Sequence, residues 1–512
     1  MSLQPKLIRF KQSVQSKYQL YDSIFTTLPF DTITKTGTLL PLFHETCKKG
    51  YADGDDPTTI VNTFFKKYQA RRNKTSQLNL LFRFIQYIER QVVLFDAIED
   101  AAFTTVNNMA GVGTVRNLKE NAANTNKKEE LKKYLEAFKV RIVLTAHPTQ
   151  FYPGAVLGII TDLTEAIKVN DLPTITNLLA QLGKTPFLKR SKPTPYNEAV
   201  SLIWYLENVF YYSFGEIFDY IQQNIFEDAP INNDIINVGF WPGGDRDGNP
   251  FVTADTTVKV ANRLKETVLK NYYRDIRKLK RKLTFRGVED KVAYLEEHLY
   301  AGFINPDNSQ TISLPELKSK LLEIKEIIRN EHQSLYLNDI NSLLNKIQLF
   351  GYHFASLDIR QDSRFHNNVF NEIVKKTIEK GLSIFAHNYS DLDEANQVKI
   401  LSNLPDEEIS IDTDDNDTLK TIATIKAIKT IQKNNGEKAC NRYIISNNQT
   451  VLNVMQVYAM LKLFAFPKQI PVDIVPLFET ITDLQNALKV MEALYTNKAY
   501  AKHLQQRNNT QT

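Results

Sequence analysis

Five short apolar runs recur along the chain, each about the length of a β-strand: residues 141–146, 238–241, 354–359, 443–446 and 473–478. Between them lie long stretches with helical apolar spacing and many Lys and Glu partners, such as 314–330 and 419–433. Strands alternating with helices imply a parallel sheet, either open or closed into a barrel. In a barrel the chemistry gathers at the carboxyl ends of the strands. Here those ends carry His147, Asp245 with Arg246, Arg360, Asn447 with Asn448, and Glu479. The excess of helix over strand predicts an α/β fold that is predominantly helical, with large helical insertions.

The leading part of the chain reads as helices. The clearest spans 78–95, where Leu78, Leu81, Phe82, Ile85, Ile88, Val92 and Phe95 recur at the spacing of one buried helical face. Residues 106–128 turn to Asn, Gly, Thr and Lys and predict a loop. The expected division is a helical region over 1–135 and the start of the α/β part over 136–512. The acidic run 406–417 reads as a solvated loop.

Composition narrows the function classes. A 42% hydrophobic and 24% charged content is that of a soluble globular protein. A net charge of +5 with mixed signs gives no support to nucleic-acid binding. Two widely separated cysteines, Cys47 and Cys440, argue against a disulfide framework or structural zinc and for a reducing, cytoplasmic compartment. No stretch of about 18 uncharged apolar residues occurs, so no membrane span is expected.

Residues 241–250, Trp-Pro-Gly-Gly-Asp-Arg-Asp-Gly-Asn-Pro, are the densest motif. They follow a short apolar strand and precede a helical run that Thr253 or Asp255 could cap. Strand, glycine-rich loop and helix is the arrangement that aims backbone N–H groups at an anion. The spacing is neither that of a Walker loop nor that of a dinucleotide fingerprint. The competing reading is a tight turn held by Asp–Arg pairs.

Three further groups could do chemistry. His147 lies in Thr-Ala-His-Pro-Thr, where Pro148 fixes the backbone and the flanking hydroxyls could set the tautomer for proton transfer. Arg360 sits in Leu-Asp-Ile-Arg-Gln-Asp-Ser, followed by His366. A guanidinium there can hold a phosphate or carboxylate bidentately, unless Asp358 or Asp362 on the same strand face occupies it. Glu479 ends an apolar run and wants a cation, either a basic side chain or a metal. One histidine, two arginines, a glycine loop and a metal-type carboxylate suit an anionic phosphorylated substrate.

These segments resemble phosphoenolpyruvate carboxylase. Residues 143–149 (VLTAHPT), 241–250, LDIRQDS with His366, and 475–480 (VPLFET) match that family in order, and 192–195 with Glu198 and Ala199 resemble a weaker segment. The resemblance implies a TIM-type β-barrel of eight strands, of which about five are legible here. It implies carboxylation of phosphoenolpyruvate by bicarbonate to oxaloacetate and phosphate with Mg²⁺ or Mn²⁺. By position it makes His147, Arg246 and Arg360 catalytic. Trp241, Gly243, Gly244, Asp245 and Arg360 would bind substrate, and Glu479 would be one of two metal carboxylates. It also suggests a homotetramer at full length.

Three departures stand out. Gln150-Phe-Tyr-Pro-Gly154 replaces the Glu and arginine pair usual after the histidine, and Pro242 stands where methionine is common. The sequence ends at Thr512, before the family's second metal carboxylate, its mobile glycine-rich loop and its remaining strands. The expectation is an amino-terminal portion, inactive alone. The alternative is a non-catalytic, truncated paralogue that binds anions or associates with other subunits.

Overall fold

The computed structural model describes residues 6–28, 36–145, 152, 154–187, 193–304 and 311–512. His147 and its immediate neighbours lie outside them. Among the described residues helices dominate, and five strands form one wholly parallel sheet in chain order. The strands are β1 (Val140–Leu144), β2 (Ile236–Phe240), β3 (Ser356–Asp362), β4 (Arg442–Ser446) and β5 (Asp473–Pro476). They agree with the five apolar runs to within a few residues at each end.

Packing divides the chain into two compact units. The first comprises the described residues of Met1–Glu120 and His147–Lys192, and the second those of Asn121–Ala146 and Pro193–Thr512. A single cut at 135/136 follows chain order. By packing, the helices Gly154–Lys168 and Leu172–Lys184 group with the leading helices.

The first unit is a helical bundle around Lys74–Val106, a helix of 33 residues. Its buried face is not the one that periodicity picks out. Leu78, Phe82, Ile85, Ile88 and Val92 are exposed, while Leu80, Phe84, Tyr87, Leu94, Ala97 and Ile98 are buried. The helix is apolar on more than one side, so spacing alone offers several stripes, and the neighbours that pack against it decide. Tyr87 meets Phe25 from the helix Ser16–Thr27, in a core shared with Ile159, Leu163 and Leu179. Arg90, also buried, donates to the carbonyls of Leu182 (3.0 Å) and Thr185 (2.7 Å), satisfying the carboxyl end of Leu172–Lys184. Within the expected loop 106–128, Val115–Asn124 forms a helix.

The second unit holds the sheet. The register pairs Leu144 with Phe240, Phe240 with Leu357, Arg360 with Ile444 and Ile445 with Pro476, so all five carboxyl ends share one edge. Helix Val451–Phe464 is buried from Val454 to Phe464, as a connection covering a parallel sheet must be. Ala254–Lys280 starts at Thr253, whose hydroxyl accepts from Thr256 N–H, and packs on Glu289–Ile304 and Asn416–Asn435. Residues 406–415 carry no helix or strand, as their acidity suggests. Among the described residues no helix is long and apolar enough to cross a membrane.

His366 is fully buried, with Nε2 2.9 Å from the Tyr443 hydroxyl. Burial keeps the ring neutral and pushes its pKa down to about 3. In the unfolded chain the ring takes a proton near the ordinary value of about 6.5. Between those values the unfolded state binds one proton more, so this contribution is full above about pH 6.5 and is lost as pH falls, by about 1.4 kcal/mol per pH unit. Thermal unfolding between about pH 7 and pH 4 should therefore show a slope that His366→Phe reduces; an unchanged slope would contradict it.

Candidate active site

The chain leaves β2 in a tight turn that rejoins the sheet. Trp241 N–H donates to Leu144 O at 3.0 Å, and the N–H groups of Gly244 and Asp245 donate to Trp241 O at 2.8 and 3.0 Å. Gly243 has φ of +86°, a conformation side chains oppose. At Gly244 a Cβ would lie 2.0 Å from the Asp358 carbonyl oxygen. That approach lets the loop lie directly on β3. Arg360 N–H donates to Gly244 O at 3.1 Å and Arg246 N–H to Arg360 O at 3.0 Å, a parallel bridge between Asp245 and Arg360. Gly248 N–H is taken by Asp245 Oδ1 at 3.0 Å. These six N–H groups are therefore bonded within the protein. What the sheet edge offers an anion is the Arg360 guanidinium.

Arg360 does not pair with its own strand neighbours. Asp362 is engaged by Arg364, and Asp358 by Arg141 and Trp241. The Arg360 guanidinium instead donates from Nε to Ser446 Oγ at 2.8 Å and from Nη1 to Asp245 Oδ2 at 3.3 Å. Its Nη2 lies 2.9 Å from Asp247 Oδ2 and 3.7 Å from Glu479 Oε1. It also stands 5.0 Å above the Trp241 ring, within cation–π range. Residues from the loop after β2, from β4 and from the segment after β5 thus converge on the Arg360 cation of β3.

Beneath it lies a buried support. Arg141 on β1 reaches past β2 to Asp358 on β3 at 2.6 Å, close over Gly239, whose missing side chain clears the way. Trp241 Nε1 donates to the other Asp358 oxygen at 3.2 Å, which sets the indole plane. Burial raises the Asp358 pKa, and the Arg141 guanidinium opposes that rise. Arg246 turns away from this cluster: it donates to Gly244 O at 3.0 Å and Thr257 Oγ1 at 2.7 Å. Thr257 in turn donates to Gly243 O at 2.7 Å, so the pair clamps the loop to the next helix. Burial lowers the Arg246 pKa.

Glu479 accepts from Asn447 N–H at 2.7 Å through Oε2. Asn447 has φ of +53°, tolerated by Asn, and this turn presents the N–H to the carboxylate. Glu479 is partly exposed, which leaves lone pairs open to solvent, so it fits as one oxygen ligand of a hard divalent cation. Among the described residues no three His, Cys, Asp or Glu side chains gather as a metal-binding group. The motifs assign no role to Ser446, Arg141 or Thr257, and they contain Asp247 only as one of the two aspartates that flank Arg246. Ser446 follows Ile444, the register partner of Arg360, by two residues and so shares its sheet face; register was the missing signal.

The sequence model of one family, phosphoenolpyruvate carboxylase, matches residues 71–302 and 296–512. The chain belongs to the phosphoenolpyruvate carboxylase family. The phosphoenolpyruvate carboxylase of Nitrosomonas eutropha is 25% identical over 447 residues, covering 75% of this chain and 47% of the relative. That of Aliivibrio salmonicida is 25% identical over 498 residues (88% of this chain, 53% of the relative), and that of Shewanella sediminis 28% over 414 (72% and 46%). The chain spans about half the length of these relatives. The Trp241–Pro250 loop and the Arg360, Glu479 and His366 segments all fall inside the family match.

Gly244→Ala should drive a methyl into the Asp358 carbonyl, costing about 1–3 kcal/mol as overpacking and disturbing both loop-to-β3 hydrogen bonds. Melting should drop by several degrees. Gly158→Ala, inside the helix Gly154–Lys168 where the added methyl meets nothing, is the matched control and should hold or slightly raise the melting temperature, because alanine is favoured over glycine within a helix. Equal effects at the two positions would refute the stitching of loop to strand.

Proposed function

We propose that the chain carries the phosphate-facing part of an enzyme site that carboxylates phosphoenolpyruvate with bicarbonate, giving oxaloacetate and phosphate. The observation that carries this reading is the Arg360 guanidinium, stacked over Trp241 at the carboxyl edge of a parallel sheet in a chain of this family. A guanidinium at that edge can hold the transferring phosphoryl group by paired N–H donors. Trp241 provides an apolar floor that keeps water from the enolate. Bicarbonate oxygen attacks phosphorus, giving carboxyphosphate and the pyruvate enolate. Carboxyphosphate then breaks to CO₂ and phosphate, and the enolate carbon takes the CO₂.

In this reading His147 moves the proton that accompanies carboxyphosphate breakdown. Asp245 orients Arg360, and Arg246 with Gly243 and Gly244 shapes the loop around the substrate. Glu479 supplies one oxygen to Mg²⁺ or Mn²⁺, and the ion, when bound, neutralises charge building on the phosphate and enolate oxygens. The reading extends to a cytoplasmic homotetramer.

The test measures bicarbonate-dependent oxaloacetate formation with Mg²⁺, beside calorimetric titration of phosphoenolpyruvate. Arg360→Ala should weaken phosphoenolpyruvate binding at least about tenfold and lower any turnover by about a hundredfold or more. Binding that ignores Arg360→Ala overturns the proposal. Arginine-dependent binding without turnover favours the second reading, a non-catalytic anion-binding partner.

A further inference from the structure

The charges around Arg360 do not balance. One guanidinium faces Asp245, Asp247 and Glu479, so the cluster sums to −2 if all are ionised (+1 with three of −1). A phosphate brought to this arginine meets carboxylates on the donors it needs. Some carboxylate must give way before the anion can bind, and the three differ in how firmly they are held.

Asp245 is held in the loop, because Oδ1 accepts from Gly248 N–H while Oδ2 meets Arg360. Its backbone is bridged to β3 as well. Glu479 is held by Asn447 N–H at 2.7 Å and stands farthest from the guanidinium, at 3.7 Å. Asp247 is different. Among the described residues its one ion-pair partner is Arg360, at 2.9 Å, the shortest of the three approaches. Its side chain is 29% exposed, so it has water to move into. The field of Asp247 also reaches Arg364, which Asp362 occupies.

We propose that Asp247 competes with phosphate for the Arg360 guanidinium, so that the anion binds only as this carboxylate leaves. This deepens the proposed function and rests on its use of Arg360 as the phosphate ligand. Asp247 thereby becomes a specificity-determining residue. A monoanion gains too little at Arg360 to displace it, whereas a phosphate dianion, or a phosphate arriving with a divalent cation, gains more. A cation drawn to Glu479 offsets the cluster's negative charge, so anion and cation affinities are coupled, and the coupling is reciprocal. The carboxylate also keeps the Nη2 donor of Arg360 occupied when no anion is present.

The experiment titrates inorganic phosphate and phosphoenolpyruvate calorimetrically into the full chain and into Asp247→Asn, each with and without Mg²⁺. Asp247→Asn should bind either anion about two- to fivefold more tightly in the absence of Mg²⁺, the scale of one partly exposed ion pair. It should also show a smaller enhancement by Mg²⁺ than the parent. Asp247→Glu, which keeps the charge, should behave as the parent, and matched melting curves report that each variant folds. An unchanged or weaker metal-free affinity in Asp247→Asn, with binding still lost in Arg360→Ala, overturns the competition and leaves the proposed function standing. Anion binding that does not depend on Arg360, or none under any condition, overturns both.

Discussion

The site depends on the two backbone hydrogen bonds that tie the glycine loop to β3. Through them Gly244 and Arg246 flank Arg360, and the loop becomes one more stretch of sheet ladder. They form because nothing but a hydrogen fits between Gly244 and the Asp358 carbonyl. Once they form, Asp245 and Asp247 are carried to the guanidinium and Trp241 is carried beneath it. The motif's dense charge and glycine thus serve a single geometric end: backbone approach first, side-chain convergence second.

The support underneath follows the same logic at greater depth. Asp358 is buried, and an uncompensated carboxylate there would be costly. Arg141 and the Trp241 indole share its two oxygens, linking β1, β3 and the loop through one group. Gly239 matters because it carries nothing that would block the arginine's path across β2. Arg246, for its part, is bonded to loop carbonyl and helix hydroxyl, so its contact with the chemistry runs through the loop it holds.

Much was legible along the chain. The five strands, their parallel arrangement and the helices at 314–331 and 416–435 follow from periodicity and length. Arg360, Trp241, Asp245 and Glu479 were named from motifs and do converge. The face of the long leading helix was not legible, because Leu78, Phe82 and Ile85 satisfy the same spacing as the residues that are buried. Nor were the partners of Arg360. Asp358 and Asp362 lie nearest in sequence, yet Arg141 and Arg364 claim them, and Ser446 comes from another strand.

What the sequence by itself determined was local: where strands and helices lie, where only glycine permits the backbone to bend, and which residue types gather at strand ends. Those properties depend on torsion angles and on spacing of a few residues, and the sequence carries them directly. Which carboxylate meets which guanidinium was decided by the tertiary structure. Residues more than a hundred positions apart, such as Asp245 and Arg360, meet only after sheet register and a close backbone approach have placed them within hydrogen-bond range. Ion pairing acts over a few ångströms of space, and chain separation gives no measure of that distance.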